Sequence, residues 1–261
     1  MITSDFSSKP SDYSPKPAKA SILIISNSPG PNQNDFFREL ALCDQLDVHV
    51  WYMGKHAPKW RGSEPKPDYS HEFLPNIIPF TKKSQRFCNP SVLWKLIFRK
   101  DHCVIIQGYF MPTSIVSMLL LSFMKRRWLF WGEMVDRSKD KSGWKFIFKQ
   151  IVLGKLLSRF SKLILVIGGQ TAKESYIKYG CQERNLKLLP YSCNLTPYYE
   201  LEDSQLSELY KLNERYKKNG EKVIFSLSQL IPRKCIDLLI KAFVSLDPVK
   251  NNLRLLIGGS G

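Results

Sequence analysis

Short apolar runs alternate along the chain with longer stretches in which apolar positions recur every three or four residues. That alternation predicts βαβ units on a parallel sheet, an α/β fold. The first run, 21–25, is apolar at nearly every position, as a strand covered on both faces must be. The turn formers Ser26-Asn27-Ser28-Pro29-Gly30 end it. A helix is predicted over 35–46, a strand over 47–53, a Pro-, Gly- and Lys-rich loop over 54–70 and a short edge strand over 71–78. Strands at 102–108 and 128–132 then enclose a helix at 112–124. A helix over 143–160 leads into a strand over 162–167 that ends in Gly168-Gly169. Thr171 and Glu174 have the spacing of a capping box, in which each side chain satisfies a free backbone donor of the other. That helix stops at Gly180, and a strand over 185–189 follows, closed by Pro190.

From 191 to 220 the composition turns polar, with one helix predicted over 203–218. A fresh strand–helix–strand unit then occupies 222–227, 232–246 and 253–257, and the chain closes on Gly258-Gly259-Ser260-Gly261. The pattern divides the chain into a Ser/Pro/Lys-rich disordered arm (1–20), an N-terminal domain (21–200), a connector (201–220) and the start of a second domain (221–261). The lipid-like stretch 110–124 is shorter than the roughly 20 apolar residues of a bilayer span. It reads as a buried helix.

Charge changes this picture. The 39 Lys and Arg against 23 Asp and Glu give +16, which points to an anionic partner: nucleic acid, an anionic membrane or a phosphorylated ligand. Between Phe73 and Gly132 the sole acid is Asp101. At about 100° per residue, Lys145, Lys149, Lys155, Arg159 and Lys162 share one helix face. Phe148, Val152 and Leu156 interleave with them, while Phe146, Leu153, Leu157 and Phe160 point to the core. A basic face with embedded apolar groups suits an anionic membrane surface, and it equally describes a solvated surface helix. The six cysteines have no CxxC spacing and do not pair with histidines at ligand spacing. They read as reduced structural thiols of a cytoplasmic protein, with no metal site.

The segment from Val223 to Phe243 carries the most chemistry. A strand delivers a short loop, and Arg233 and Lys234 sit at the first turn of the helix behind it. Free N–H groups and the helix dipole there favour a diphosphate, and a lysine balances charge as the phosphate leaves. Taken alone, the two charges are also ordinary surface residues. The segment resembles the start of the donor-binding domain of family 4 retaining glycosyltransferases, which have the GT-B fold of two facing Rossmann-like domains. Ser228-Gln229-Leu230 stands in the place of that family's Gly-Arg-Leu, Lys234-Cys235 in the place of Lys-Gly, and Leu238 to Ala242 matches its helix. Gln229 replaces an arginine that helps hold the diphosphate, which leaves Lys234 more of that work. Cys235 replaces a glycine, so the turn is less free to take a positive φ. The stretch 162–191 resembles the end of the family's N-terminal domain.

The resemblance implies transfer of a sugar from a nucleotide-diphosphate donor, itself a substrate and not a cofactor. The acceptor would be a carbohydrate or lipid-linked molecule, as in surface-polysaccharide or glycolipid synthesis, with retained anomeric configuration and no essential metal. Glu133, where family members carry a polar active-site residue, would serve the acceptor hydroxyl. Asn27 and Gly30 after the first strand, and Gly168 and Gly169 after another, are possible loop contacts, since ligands sit beyond the carboxyl ends of parallel strands. The family's paired-glutamate element would lie past Gly261, so the 261-residue chain is expected to transfer little sugar by itself. Two rivals stand beside this reading. One is a non-catalytic membrane-surface or interaction module. The other is a nucleic-acid binder, which charge alone supports and which no recognition motif favours, so no nucleic acid is expected.

Overall fold

A computed structural model describes residues 18–55, 66–78, 87–135, 143–190, 194–216 and 220–260. The chain forms two compact units, Met1–Asn194 and Leu195–Gly261. In the first, the α/β expectation holds as a seven-stranded parallel sheet of Rossmann-like type, with strand order β3-β2-β1-β4-β5-β6-β7. Its strands are β1 (Ala20–Ser26), β2 (Leu46–Tyr52), β3 (His71–Phe73), β4 (Cys103–Gln107), β5 (Trp128–Gly132), β6 (Ile164–Val166) and β7 (Leu186–Leu188). The chain steps outward from β1 to β3, then returns to lay β4 against the other side of β1. The switch point therefore falls between β1 and β4. Leu23, Ile24 and Ile25 are fully buried, which accounts for an unbroken apolar run in this central strand.

Helices cover both faces. On one, α1 (Pro31–Leu42) buries Phe37 against Ile24, Val50 and Trp131. On the other lie α2 (Ser91–Phe98), α3 (Pro112–Phe123), a long helix from Trp144 to Phe160, and α6 (Gly169–Lys178). These bury Leu96, Met118, Leu153 and Tyr176 together with Val104 and Phe130. The long helix comprises α4 (Trp144–Lys149), a π-helical stretch (Gln150–Leu157) and α5 (Ser158–Phe160). No helix among the described residues is long and apolar enough to cross a membrane.

Several boundaries differ from the sequence pattern, each for a local reason. Helix α1 begins four residues early, because Pro31 at its first position is already shaped for a helix and gives up no needed N–H. Helix α2 was not predicted; only Val92 and Leu96 are fully buried, too few to show a period. The capping box at Thr171 and Glu174 does not form. Helix α6 starts earlier, at Gly169, and its cap is Gly168, whose φ of +102° turns β6 into the helix. Gly180, with φ +96°, ends that helix as expected.

The second unit contains α7 (Thr196–Tyr199), α8 (Asp203–Tyr216), β8 (Lys222–Leu227), a 3₁₀ turn (Pro232–Lys234), α9 (Ile236–Ser245) and β9 (Leu253–Gly258). Strands β8 and β9 pair in parallel over their whole length. None of the described residues of α8, β8, α9 and β9 is fully buried. Cys43, Cys88, Cys103, Cys181 and Cys235 are free thiols, and Cys193 lies outside the described residues.

Candidate functional site

At the carboxyl edge of the large sheet, the loop after β1 and the residue after β5 line one cleft of about 270 Å³. Its walls are Asn27 to Gln33 and Glu133. Asn27, Gly30 and Glu133 come from segments a hundred residues apart, and the fold brings them together because β1 and β5 flank β4. The Oδ1 of Asn27 is buried and has no hydrogen-bond partner among the described residues. Gly168 and Gly169 do not line this cleft; they shape the turn from β6 into α6.

The cleft is held by residues that sequence reasoning did not single out. Ser26 Oγ–H donates to Gln107 Oε1 at 2.6 Å, locking the ends of β1 and β4 at the switch point. Asn34, one turn into α1, accepts from the buried hydroxyls of Tyr69 (2.7 Å) and Tyr52 (3.2 Å). Burial pushes the Tyr69 phenol up to about 12, and Tyr52 higher still, so both remain donors. Beneath Glu133, Tyr176 O–H donates to the Glu133 carbonyl at 2.8 Å, and the Val135 N–H donates to Ser175 Oγ at 3.1 Å. Helix α6 thereby fixes the backbone from which the Glu133 side chain enters the cleft. Such couplings span 18 to 81 residues and leave no local pattern to read.

In the second unit, the loops after β8 and β9 are joined by their backbones. Ser228 N–H donates to Gly258 O and Leu230 N–H to Ser260 O, each at 3.0 Å. A Cβ on Gly259 would stand 1.8 Å from the Ser228 carbonyl, so this position requires glycine. Gln229 is half-buried in the joined loop. Arg233 and Lys234 are exposed, and they occupy the 3₁₀ turn and not the first turn of α9, as the sequence suggested. The helix starts only at Ile236, because Cys235 takes a left-handed conformation with φ +51°. The backbone therefore keeps the shape that a glycine would favour, at the strain cost of a side chain in that region. Cys235→Gly should relieve about 1 kcal/mol of it, and slowed amide exchange across β8 and α9 would register the gain.

The long helix corrects the predicted basic face. Val152 is buried, and Phe148 and Leu156 pack onto the core with Leu153 and Leu157. Trp144, Ile147 and Ile151 point outward instead, and Phe160 is exposed. The cause is the π stretch, whose i→i+5 hydrogen bonds break the 100° spacing used to draw the face. Lys155, Arg159 and Lys162 are exposed and Lys149 is half-buried over the Tyr179 ring, while the side chain of Lys145 lies outside the described residues.

A hollow of about 500 Å³ in the second unit, between α8 and the open face of β8, lies away from the strand ends that carry these residues. Its lining, with Leu212, Phe225 and Leu256, is that of an uncovered sheet face.

No protein family and no curated protein matches the chain. Among solved structures, it is similar to a glycosyltransferase from Rickettsia africae, with 13% identity and a TM-score of 0.51 over 92% of this chain and 68% of that one. Weaker likenesses are to MurG of Acinetobacter baumannii (10% identity, TM-score 0.40, 91% of this chain and 65% of that one) and a UDP-glucosyltransferase of Polygonum tinctorium (8%, 0.42, 92% and 72%). At such identities the likeness concerns the fold, which is the Rossmann-like α/β architecture seen in the first unit.

Proposed function

We propose that this chain belongs to a glycosyltransferase that moves a sugar from a nucleotide-diphosphate donor to a carbohydrate or lipid-linked acceptor. A role in surface-polysaccharide or glycolipid synthesis fits that chemistry. The observation that carries the reading is the meeting of Asn27, Gly30 and Glu133 in one cleft at the switch-point edge, with the Asn27 Oδ1 buried and without a partner among the described residues. In this reading one hydroxyl of the acceptor donates to Asn27, while the Glu133 carboxylate takes the proton of a second hydroxyl as that oxygen forms the new glycosidic bond. The bond from the sugar to the diphosphate breaks, and Lys234, with Arg233 as helper and Gln229 nearby, balances the departing charge. The resemblance of 223–243 to the donor-binding segment of family 4 enzymes supports that assignment.

Binding tests the two halves separately. Saturation-transfer NMR with a panel of oligosaccharides should show contacts that weaken about tenfold in Asn27→Ala and in Glu133→Ala, the loss of a buried hydrogen bond to ligand. Titration with nucleoside diphosphates should respond more to Lys234→Ala than to Arg233→Ala. If the unaltered chain binds neither ligand class, the proposal fails. Equal effects of the two basic residues would place the diphosphate elsewhere.

A further inference from the structure

The outer face of α2 and α3 is apolar where a solvent-facing helix should be polar. Trp94 and Phe98 are 67% and 77% exposed, and their rings stack with centroids 6.4 Å apart. On α3, Val116, Leu119 and Phe123 follow one another at three- and four-residue spacing, and Phe123 is 85% exposed. The two helices pack side by side, and the Arg126 guanidinium, just past α3, donates to the Leu96 carbonyl of α2 at 2.5 Å. Their exposed side chains therefore form one surface. Isolated apolar residues on a surface need no explanation, but a contiguous aromatic patch across two helices does.

The charge beside this patch has one sign. Phe98 leads into Lys100, and Phe123 into Lys125 and Arg127, all three exposed. Asp101, the sole acid between Phe73 and Gly132, is withdrawn: its carboxylate is 2% exposed and lies 2.9 Å from the Arg99 guanidinium. Glu72 is likewise paired with Lys95 at 2.7 Å. We propose that this face is a docking surface for an anionic lipid bilayer. Tryptophan and phenylalanine would enter the boundary between headgroups and acyl chains, and the basic residues would meet the lipid phosphates. A second copy of the chain fits less well, since apposing the same face of two copies brings like charges together in a protein of net charge +16.

Co-sedimentation with phosphatidylglycerol–phosphatidylcholine vesicles tests the proposal, with phosphatidylcholine vesicles as the neutral arm. The unaltered protein should bind the anionic vesicles and be released by salt. The triple variant Trp94→Ser, Phe98→Ser, Phe123→Ser should lose about tenfold or more in vesicle affinity. Its circular dichroism and oligosaccharide binding should not change, because these side chains are outside the core and the cleft. The variant Lys100→Glu, Lys125→Glu, Arg127→Glu should lose the preference for anionic lipid. Absent binding by the unaltered protein, unchanged binding by the serine variant, or a solution dimer that the serine variant dissolves would each overturn the assignment. So would tight RNA binding that removes the protein from vesicles.

Discussion

Gly154→Leu should destabilise the first unit by about 3 kcal/mol, the upper end of ordinary overpacking. In the π stretch the helix passes so close to the end of α6 that a Cβ on Gly154 would stand 2.3 Å from the Tyr179 carbonyl oxygen. The obstacle is backbone and cannot swing aside. The approach is tightened by Cys181, whose Sγ–H donates to Leu153 O at 3.1 Å. Burial pushes that thiol up to about 12, so it remains a donor. For a unit of this size the melting temperature should fall by about 6–12 °C. Gly154→Ala is the sharper test, because alanine gains about 1 kcal/mol of helix propensity over glycine. A higher melting temperature for that variant would mean that the helices can separate at little cost. Lys155→Ala, one residue along on the exposed side, should change little.

Tyr176→Ala should be comparably severe, at about 3–5 kcal/mol, since it empties a fully buried aromatic site. The more informative change is Tyr176→Phe. The ring packs edge-on to Phe130, with centroids 6.1 Å apart, and its hydroxyl donates to the Glu133 carbonyl. Room for that hydroxyl exists because residue 132 is glycine; a Cβ there would lie 2.3 Å from it. Burial raises the phenol well above its ordinary value, so it donates throughout the accessible pH range. Phenylalanine keeps the packing and forfeits the bond, for about 1–2 kcal/mol. Because Tyr176 is a positioning residue, oligosaccharide affinity at the cleft should fall in Tyr176→Phe while nucleoside-diphosphate binding does not. Unchanged oligosaccharide affinity would show that the Glu133 backbone needs no such support.

Much of this architecture was legible in the chain because local and global preferences agree. Strand β5 lies where its apolar run places it, since a parallel strand buried on both faces must be continuously apolar. Where one position serves two demands, the reading slipped. The wheel drawn over 145–162 assumed a single period, and the π stretch turned Phe148, Val152 and Leu156 inward. Thr171 and Glu174 offered a cap, but a left-handed glycine upstream had already begun the helix. The cleft shows the same division. Asn27, Gly30 and Glu133 could each be nominated from a strand end, yet their meeting depends on β4 lying between β1 and β5, which no neighbouring residues encode. Cys235 was flagged as a poor glycine substitute, and the backbone adopts the positive φ regardless.

The strand order also sets a clock on synthesis. Strand β1 pairs with β2 soon after both are made, but its other edge is covered only by β4, and the Ser21–His102 contact closes a gap of 81 residues. At about 5–20 residues per second, the ribosome needs about 4–16 s to supply that partner. Throughout that interval one edge of Leu23-Ile24-Ile25 has no strand beside it, and the helices α2 and α3 that shield one face of the sheet are not yet made or docked. A central strand of the finished sheet is thus left with an open edge while α1, β2, β3 and α2 are made. Nascent-chain aggregation and chaperone capture should therefore centre on residues 20–26, and should subside once about 107 residues have emerged and β4 can close the edge.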